Sequence, residues 1–203
     1  MEVYRASDQK LLHHEVASIA KHLKEGAVCI FPTDSVYTMA CAFSSNAGLE
    51  KLCKLVGKKP SQANLSLICA NFEMVSEFTL SFSTAIFRLM KSSLPGPFTF
   101  IFRANVKKFR GYENRRQTIG IRIPDEAFLL EVIQMLGEPL ACSSLHSEDE
   151  MLHYFSDPEE IEERFHADVD LFVDDGPGGY EASTVVDCTG NEPILLREGK
   201  GKL

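Results

Sequence analysis

The chain has 203 residues, 44% of them hydrophobic and 25% charged, with 21 Lys plus Arg against 29 Asp plus Glu and a formal net charge of −8. That charge argues against broad, non-specific nucleic-acid binding, which depends on neutralising phosphates. No stretch approaches the ~20 apolar residues of a membrane helix, and the first ten residues lack the apolar core of a signal peptide. We therefore expect a cytoplasmic protein with no membrane contact, folded as one domain over residues 1–203.

Leu11, Leu12, Val16, Ile19, Ala20 and Leu23 recur at helical spacing and Gly26 follows as a stop. The fully apolar run 27–31 suits a strand buried on both faces. A Pro32-Thr33-Asp34-Ser35 turn leads into a strand over 36–43. Asn46 opens a helix that runs to Leu55, and 65–70 is again a strand. Helices are predicted over 72–78 and 84–92, the second stopped by Pro95-Gly96-Pro97. Strands follow at 98–102 and 118–123. Asp125 is expected to cap a helix built on Phe128, Leu129, Val132, Ile133 and Leu136 and ended by Gly137. After a strand at 140–144, Asp157-Pro158-Glu159-Glu160 starts a helix with a cap and a first-turn proline. Short strands at 171–173, 184–188 and 194–196 close the chain. Strands and helices alternate without a repeat, so the fold class is α/β: a twisted mixed β-sheet with flanking helices and a concave ligand pocket.

Charge is unevenly placed. Residues 148–163 carry eight acids and no Lys or Arg. The stretch 103–116 carries Arg103, Lys107, Lys108, Arg110, Arg115 and Arg116 against Glu113 alone. A solvated loop is the simpler account of that stretch, and a weak RNA contact through it is the alternative. The six cysteines include no Cys-x-x-Cys pair, and five of them sit in apolar runs. They read as reduced core thiols and give no metal site. His13 and His14 point to different faces of their helix and read as surface residues.

Neither a Gly-x-Gly-x-x-Gly loop nor a Walker-type loop is present, and there is no Gly-x-Ser-x-Gly elbow. The polar residues of interest lie where apolar strands end, which is where open α/β sheets bind ligands. They are Thr33 and Asp34, Lys58 and Lys59, Ser143, Ser144 and His146. Taken singly, each suits a turn, a solvated loop or a local cap. Arg122, inside Ile119-Gly120-Ile121-Arg122-Ile123, is different. An arginine within a strand requires an anionic partner, either a protein carboxylate or a ligand.

The segment from Gly26 through Pro32-Thr33-Asp34-Ser35-Val36-Tyr37 resembles the opening signature of the YrdC/YciO family. Pro95-Gly96-Pro97-Phe98-Thr99-Phe100, Gly120-Ile121-Arg122-Ile123-Pro124, Pro139-Leu140-Ala141-Cys142-Ser143-Ser144, Ser183-Thr184-Val185-Val186-Asp187 and Arg197-Glu198-Gly199 are similar to its later blocks, in order. The resemblance covers nearly the whole chain and is nearest the short YciO branch. It implies a single YrdC-like domain and a threonylcarbamoyladenylate synthase. Such an enzyme joins L-threonine, bicarbonate and ATP, with Mg2+ accompanying the triphosphate, and its product serves tRNA modification. It further implies that Thr33, Arg122, Ser144 and Ser183 hold the amino acid, Arg122 forking onto its carboxylate. Lys58, Lys59, Thr118, His146 and Arg197 would line the ATP side. No protein nucleophile is needed, because such chemistry rests on positioning and charge cancellation.

Two positions depart from the family pattern. Its Lys-x-Arg-Pro grip stands here as Gly57-Lys58-Lys59-Pro60, and its Ser-Ala-Asn motif as Ser144-Leu145-His146. Synthesis slower than in relatives with the full grip is therefore expected. The alternative is a nucleotide- or RNA-binding module on the same fold without efficient synthesis.

Overall fold

A computed structural model of the chain describes residues 1–6, 11–59, 63–109, 117–146 and 154–203. Pro60 and residues 110–116 of the basic stretch lie outside the described residues. Ten strands and six α-helices are present among them: β1 (Glu2–Arg5), α1 (His13–Lys24), β2 (Val28–Phe31), β3 (Thr38–Ala42), α2 (Asn46–Leu55), β4 (Ser66–Ile68), α3 (Phe72–Phe78), α4 (Thr84–Ser93), β5 (Phe98–Arg103), β6 (Thr118–Arg122), α5 (Ala127–Leu136), β7 (Leu140–Ser144), α6 (Pro158–Phe165), β8 (Leu171–Asp174), β9 (Thr184–Asp187) and β10 (Ile194–Arg197). Two elements are not anticipated from the sequence: β1, a short polar edge strand that pairs in parallel with β8, and a short 3-10 helix at Val106–Phe109.

Local chemistry sets most helix starts. Ser45, Asn71, Ser83 and Asp157 each accept a hydrogen bond from a first-turn amide. Asp125 does not cap α5 as expected: the cap position is Glu126, whose side chain makes no capping bond. The Asp125 amide donates to Asp34 Oδ2 at 2.9 Å, which ties the start of α5 to the loop after β2. The end of α2 is closed by Gly57 at φ +65°. Its amide donates to the Lys54 carbonyl and the Lys58 amide to that of Cys53, the paired bonds of a Schellman motif.

The strands form one mixed sheet in the order β1-β8-β2-β3-β7-β4-β6-β5-β9-β10. Period-two alternation divides its residues between two faces. On one face Phe98, Phe100 and Phe102 of β5, Ile119 and Ile121 of β6 and Val186 of β9 pack with Leu52 of α2, Phe78 of α3, Ile86 and Met90 of α4 and Ile161 of α6. Burying each large side chain there contributes about 1.5–3 kcal/mol. On the other face Val16, Ile19 and Leu23 of α1 and Leu129, Val132 and Ile133 of α5 pack on β8, β2, β3, β7 and the end of β4. That second core includes no residue of β6, β5, β9 or β10, and the cavity described below lies on this uncovered part. The expected α/β domain with one mixed sheet and flanking helices is thus observed.

Candidate functional site

The strand residues that alternate with the phenylalanines and isoleucines form the floor of a cavity of about 570 Å³. Thr99 and Ile101 come from β5, Thr118, Gly120 and Arg122 from β6, Ser66 from β4, Cys142 and Ser144 from β7, and Thr38 from β3. Ser183, Val185 and Arg197 enter from the far edge, and Lys58, Asn64, His146 and Tyr154 from loops. The described lining therefore carries three permanent cations, many hydroxyls and no carboxylate, within a chain of net charge −8. Such a site attracts anions.

Arg122 is 4% exposed. Its Nη2 donates to Asp34 Oδ1 at 3.0 Å and to Ser35 Oγ at 2.8 Å, with Thr33 Oγ1 at 3.5 Å. Its Nε is buried and has no hydrogen-bond partner among the described residues. A buried unpartnered donor costs about 1–3 kcal/mol. The strand arginine thus has its protein carboxylate and an unsatisfied donor as well.

Of the residues expected to act together, Arg122, Ser144, Ser183, Lys58, Thr118, His146 and Arg197 all line this one cavity. Thr33 and Lys59 are not in its described lining. The Thr33 hydroxyl donates to the Val36 carbonyl at 2.7 Å and accepts from the Ser35 amide, so it shapes the loop that holds Arg122. Residues the sequence reading did not single out are Ser35, Thr38, Ser66, Thr99, Gly120 and Tyr154. Alternation along β5 and β6 would have found Thr99 and Gly120. Ser35 and Tyr154 depend on loop paths that carry no such period.

Two further arrangements fix the floor. Ser183 Oγ lies 2.7 Å from Thr99 Oγ1, and Arg197 donates through Nη2 and Nε to the Ser183 carbonyl at 2.7 and 3.2 Å. The β9–β10 register runs Ile194 with Asp187 and Leu195 with Val186, then skips Leu196 to pair Arg197 with Val185. This bulge puts Arg197 on the same face as Val185, which lines the cavity. Cys142 is also on the floor, but burial pushes its thiol up to about 11 against the opposing pull of Arg122 and a Thr38 hydrogen bond. At neutral pH it is a thiol, not a nucleophile. All six cysteines are buried, and none of them forms a disulfide. In the basic stretch, Lys108 is engaged with Glu77 at 2.6 Å, which removes part of the surface charge expected there. No helix among the described residues is long and apolar enough to cross a membrane.

Comparison with known proteins identifies relatives of this chain and of its fold. The Sua5/YciO/YrdC family model, described as telomere recombination, matches residues 21–199. YciO of Escherichia coli strain K12 is 33% identical over 194 residues, covering 95% of this chain and 91% of that protein. The crystal structure of E. coli YciO superposes with a TM-score of 0.86 at 28% identity, covering 99% of this chain and 96% of the other. Threonylcarbamoyl-AMP synthase of Mus musculus is 33% identical over 183 residues, which span 85% of this chain and 62% of the mouse protein. P. abyssi Sua5 complexed with L-threonine shares the fold, with a TM-score of 0.84 at 22% identity over 98% of this chain and 57% of that one.

Proposed function

The chain belongs to the Sua5/YciO/YrdC family, and from that premise we propose that its cavity joins L-threonine, bicarbonate and ATP into threonylcarbamoyl-AMP, releasing pyrophosphate. One observation carries the reading. A buried arginine with an unpartnered Nε lines a cavity whose described lining has three cations and no carboxylate. The same lining suits a substrate with a carboxylate at one end and phosphates at the other.

In this reading the threonine carboxylate takes the open side of the Arg122 guanidinium, a planar fork that lysine cannot reproduce. Ser144 and Ser183 give hydroxyl contacts to the amino acid, and Thr33 acts by shaping the loop behind Arg122. The threonine amine adds to bicarbonate with loss of water, giving a carbamate. A carbamate oxygen then attacks the α-phosphorus of ATP, and the bond to the bridging oxygen breaks as pyrophosphate leaves. Lys58, Arg197, Thr118 and His146 meet the nucleotide, the two cations offsetting charge on the phosphates. Lys59 lies nearby in sequence but is assigned no contact. The described residues include no group of three or more His, Cys, Asp or Glu able to hold a metal. Mg2+ is therefore assigned to the incoming ATP as part of the substrate, and the product is assigned to tRNA modification.

Pyrophosphate release should require all three substrates together and fall to background when any one is omitted. ATP and threonine both binding without release would leave a binding module on the same fold. Binding of neither substrate at millimolar concentration would remove the synthase reading.

A further inference from the structure

Two of the cavity's described lining residues carry rings, His146 and Tyr154, and they sit together. Their backbones form an antiparallel bridge, and their rings lie 6.4 Å apart at 65°. His146 Nδ1 is 3.0 Å from the Ser144 carbonyl, which can only accept, so Nδ1 carries the proton and a neutral ring keeps Nε2 as an acceptor. The next residues anchor the pair. Leu145 and Phe155 are both buried, the Leu145 amide donates to the Tyr37 carbonyl at 2.9 Å, and the Phe155 amide to the Leu145 carbonyl at 3.3 Å. The rings are thus presented at the rim by a fixed frame, so little freedom is left to lose on binding.

The remainder of the lining is cationic, hydroxylic or aliphatic apart from the Asn64 amide and the Cys142 thiol. A cavity with cations and an aromatic rim suits a ligand that has both phosphate and a π-face. We propose that Tyr154, held by its bridge to His146, is the stacking surface for the nucleobase of the bound nucleotide. This rests on the nucleotide reading above and adds a nucleobase-binding residue to it. Stacking needs no particular hydrogen-bond pattern, so it works with His146 in the place where the family has Asn.

The test is calorimetric titration of the whole protein with AMP and, separately, with inorganic tripolyphosphate. Tyr154→Ala should weaken AMP binding roughly five- to a hundredfold and leave tripolyphosphate binding unchanged. Tyr154→Phe should retain AMP binding within about twofold, since it keeps the ring. Tyr154→Leu, which keeps apolar bulk without a π-face, should behave as Tyr154→Ala and serves if the smaller side chain compromises folding. Unchanged AMP binding in the Ala and Leu variants, with wild-type protein binding AMP, overturns the stacking role alone. Equal loss of AMP and tripolyphosphate overturns it in favour of a structural role. Wild-type protein that binds no AMP overturns it together with the nucleotide reading.

Discussion

Arg122 and Asp34 form an ion pair at 3.0 Å with side chains only 4% and 9% exposed, so the residue assigned to bind substrate is also part of the protein interior. Removing one partner of a buried pair leaves an uncompensated charge and costs about 3–5 kcal/mol. Arg122→Met should lower the urea unfolding free energy by an amount of that order. The double variant Asp34→Asn/Arg122→Met should recover much of it while still failing to bind threonine. Stability recovered without binding separates the two roles of the arginine. Binding that returned with stability would show that Arg122 acts only through the fold.

The family grip cannot be restored here by substitution at Gly57. That residue is in the left-handed region at φ +65°, closing α2, where a side chain costs roughly 1–2 kcal/mol. Gly57→Lys should therefore destabilise the protein and give no gain in pyrophosphate release. Lys58 already lines the cavity and is, with Arg197, a cation proposed to meet the triphosphate. Lys58→Ala should weaken ATP binding roughly tenfold or more, for a lost charge-assisted contact of about 1.5–3 kcal/mol, without affecting threonine.

Gly120 is kept small by its neighbours on the cavity floor. A Cβ there would lie 2.5 Å from Ser66 Oγ and 3.3 Å from Thr99 Cγ2. Gly120→Ala should raise the KM for substrate while shifting the thermal midpoint only slightly. Pairing it with Ser66→Ala should return part of the lost affinity.

The pH dependence of stability has an identifiable source. Glu126 at the start of α5 is half-buried, and burial first, then Asp175, Asp34 and Asp125, push its carboxyl up to about 7. The folded protein therefore holds this proton more tightly than the unfolded chain. The stabilisation is fully present below the ordinary carboxylate range and is lost as pH rises through about 7. Urea midpoints should accordingly fall between pH 5.5 and pH 8, and Glu126→Gln should flatten that slope. An unchanged slope in the variant would assign the titration elsewhere.

Much of this architecture is legible in the sequence because the physics is local. Apolar runs such as Val28–Phe31 and start signals such as Asp157-Pro158 need no partner to be recognised. What escaped depends on distant residues. The strand Glu2–Arg5 is too short and polar to show a period, and it exists through pairing with Leu171–Asp174. Asp125 looked like a cap, but α5 takes Glu126 at that position, and the Asp125 amide is tied to Asp34, 91 residues away. Within the site, Arg122 stood out because a charge inside an apolar strand demands a partner. Tyr154 did not, because its place is set by a bridge to His146, eight positions earlier in the chain.

The bulge at Leu196 has a consequence for how this edge of the protein can drift. In a regular ladder a side chain's face follows from counting residues, so one insertion or deletion would turn Arg197 away from the cavity. Here the ladder already absorbs one surplus residue, and Arg197 is held by the Ser183 carbonyl as well as by its pairing with Val185. Removing Leu196 would give an unbroken ladder with Arg197 still opposite Val185. The outermost strand, with Ile194, Leu195 and Leu196 all exposed, can therefore change its length by this residue without re-aiming the arginine that lines the cavity.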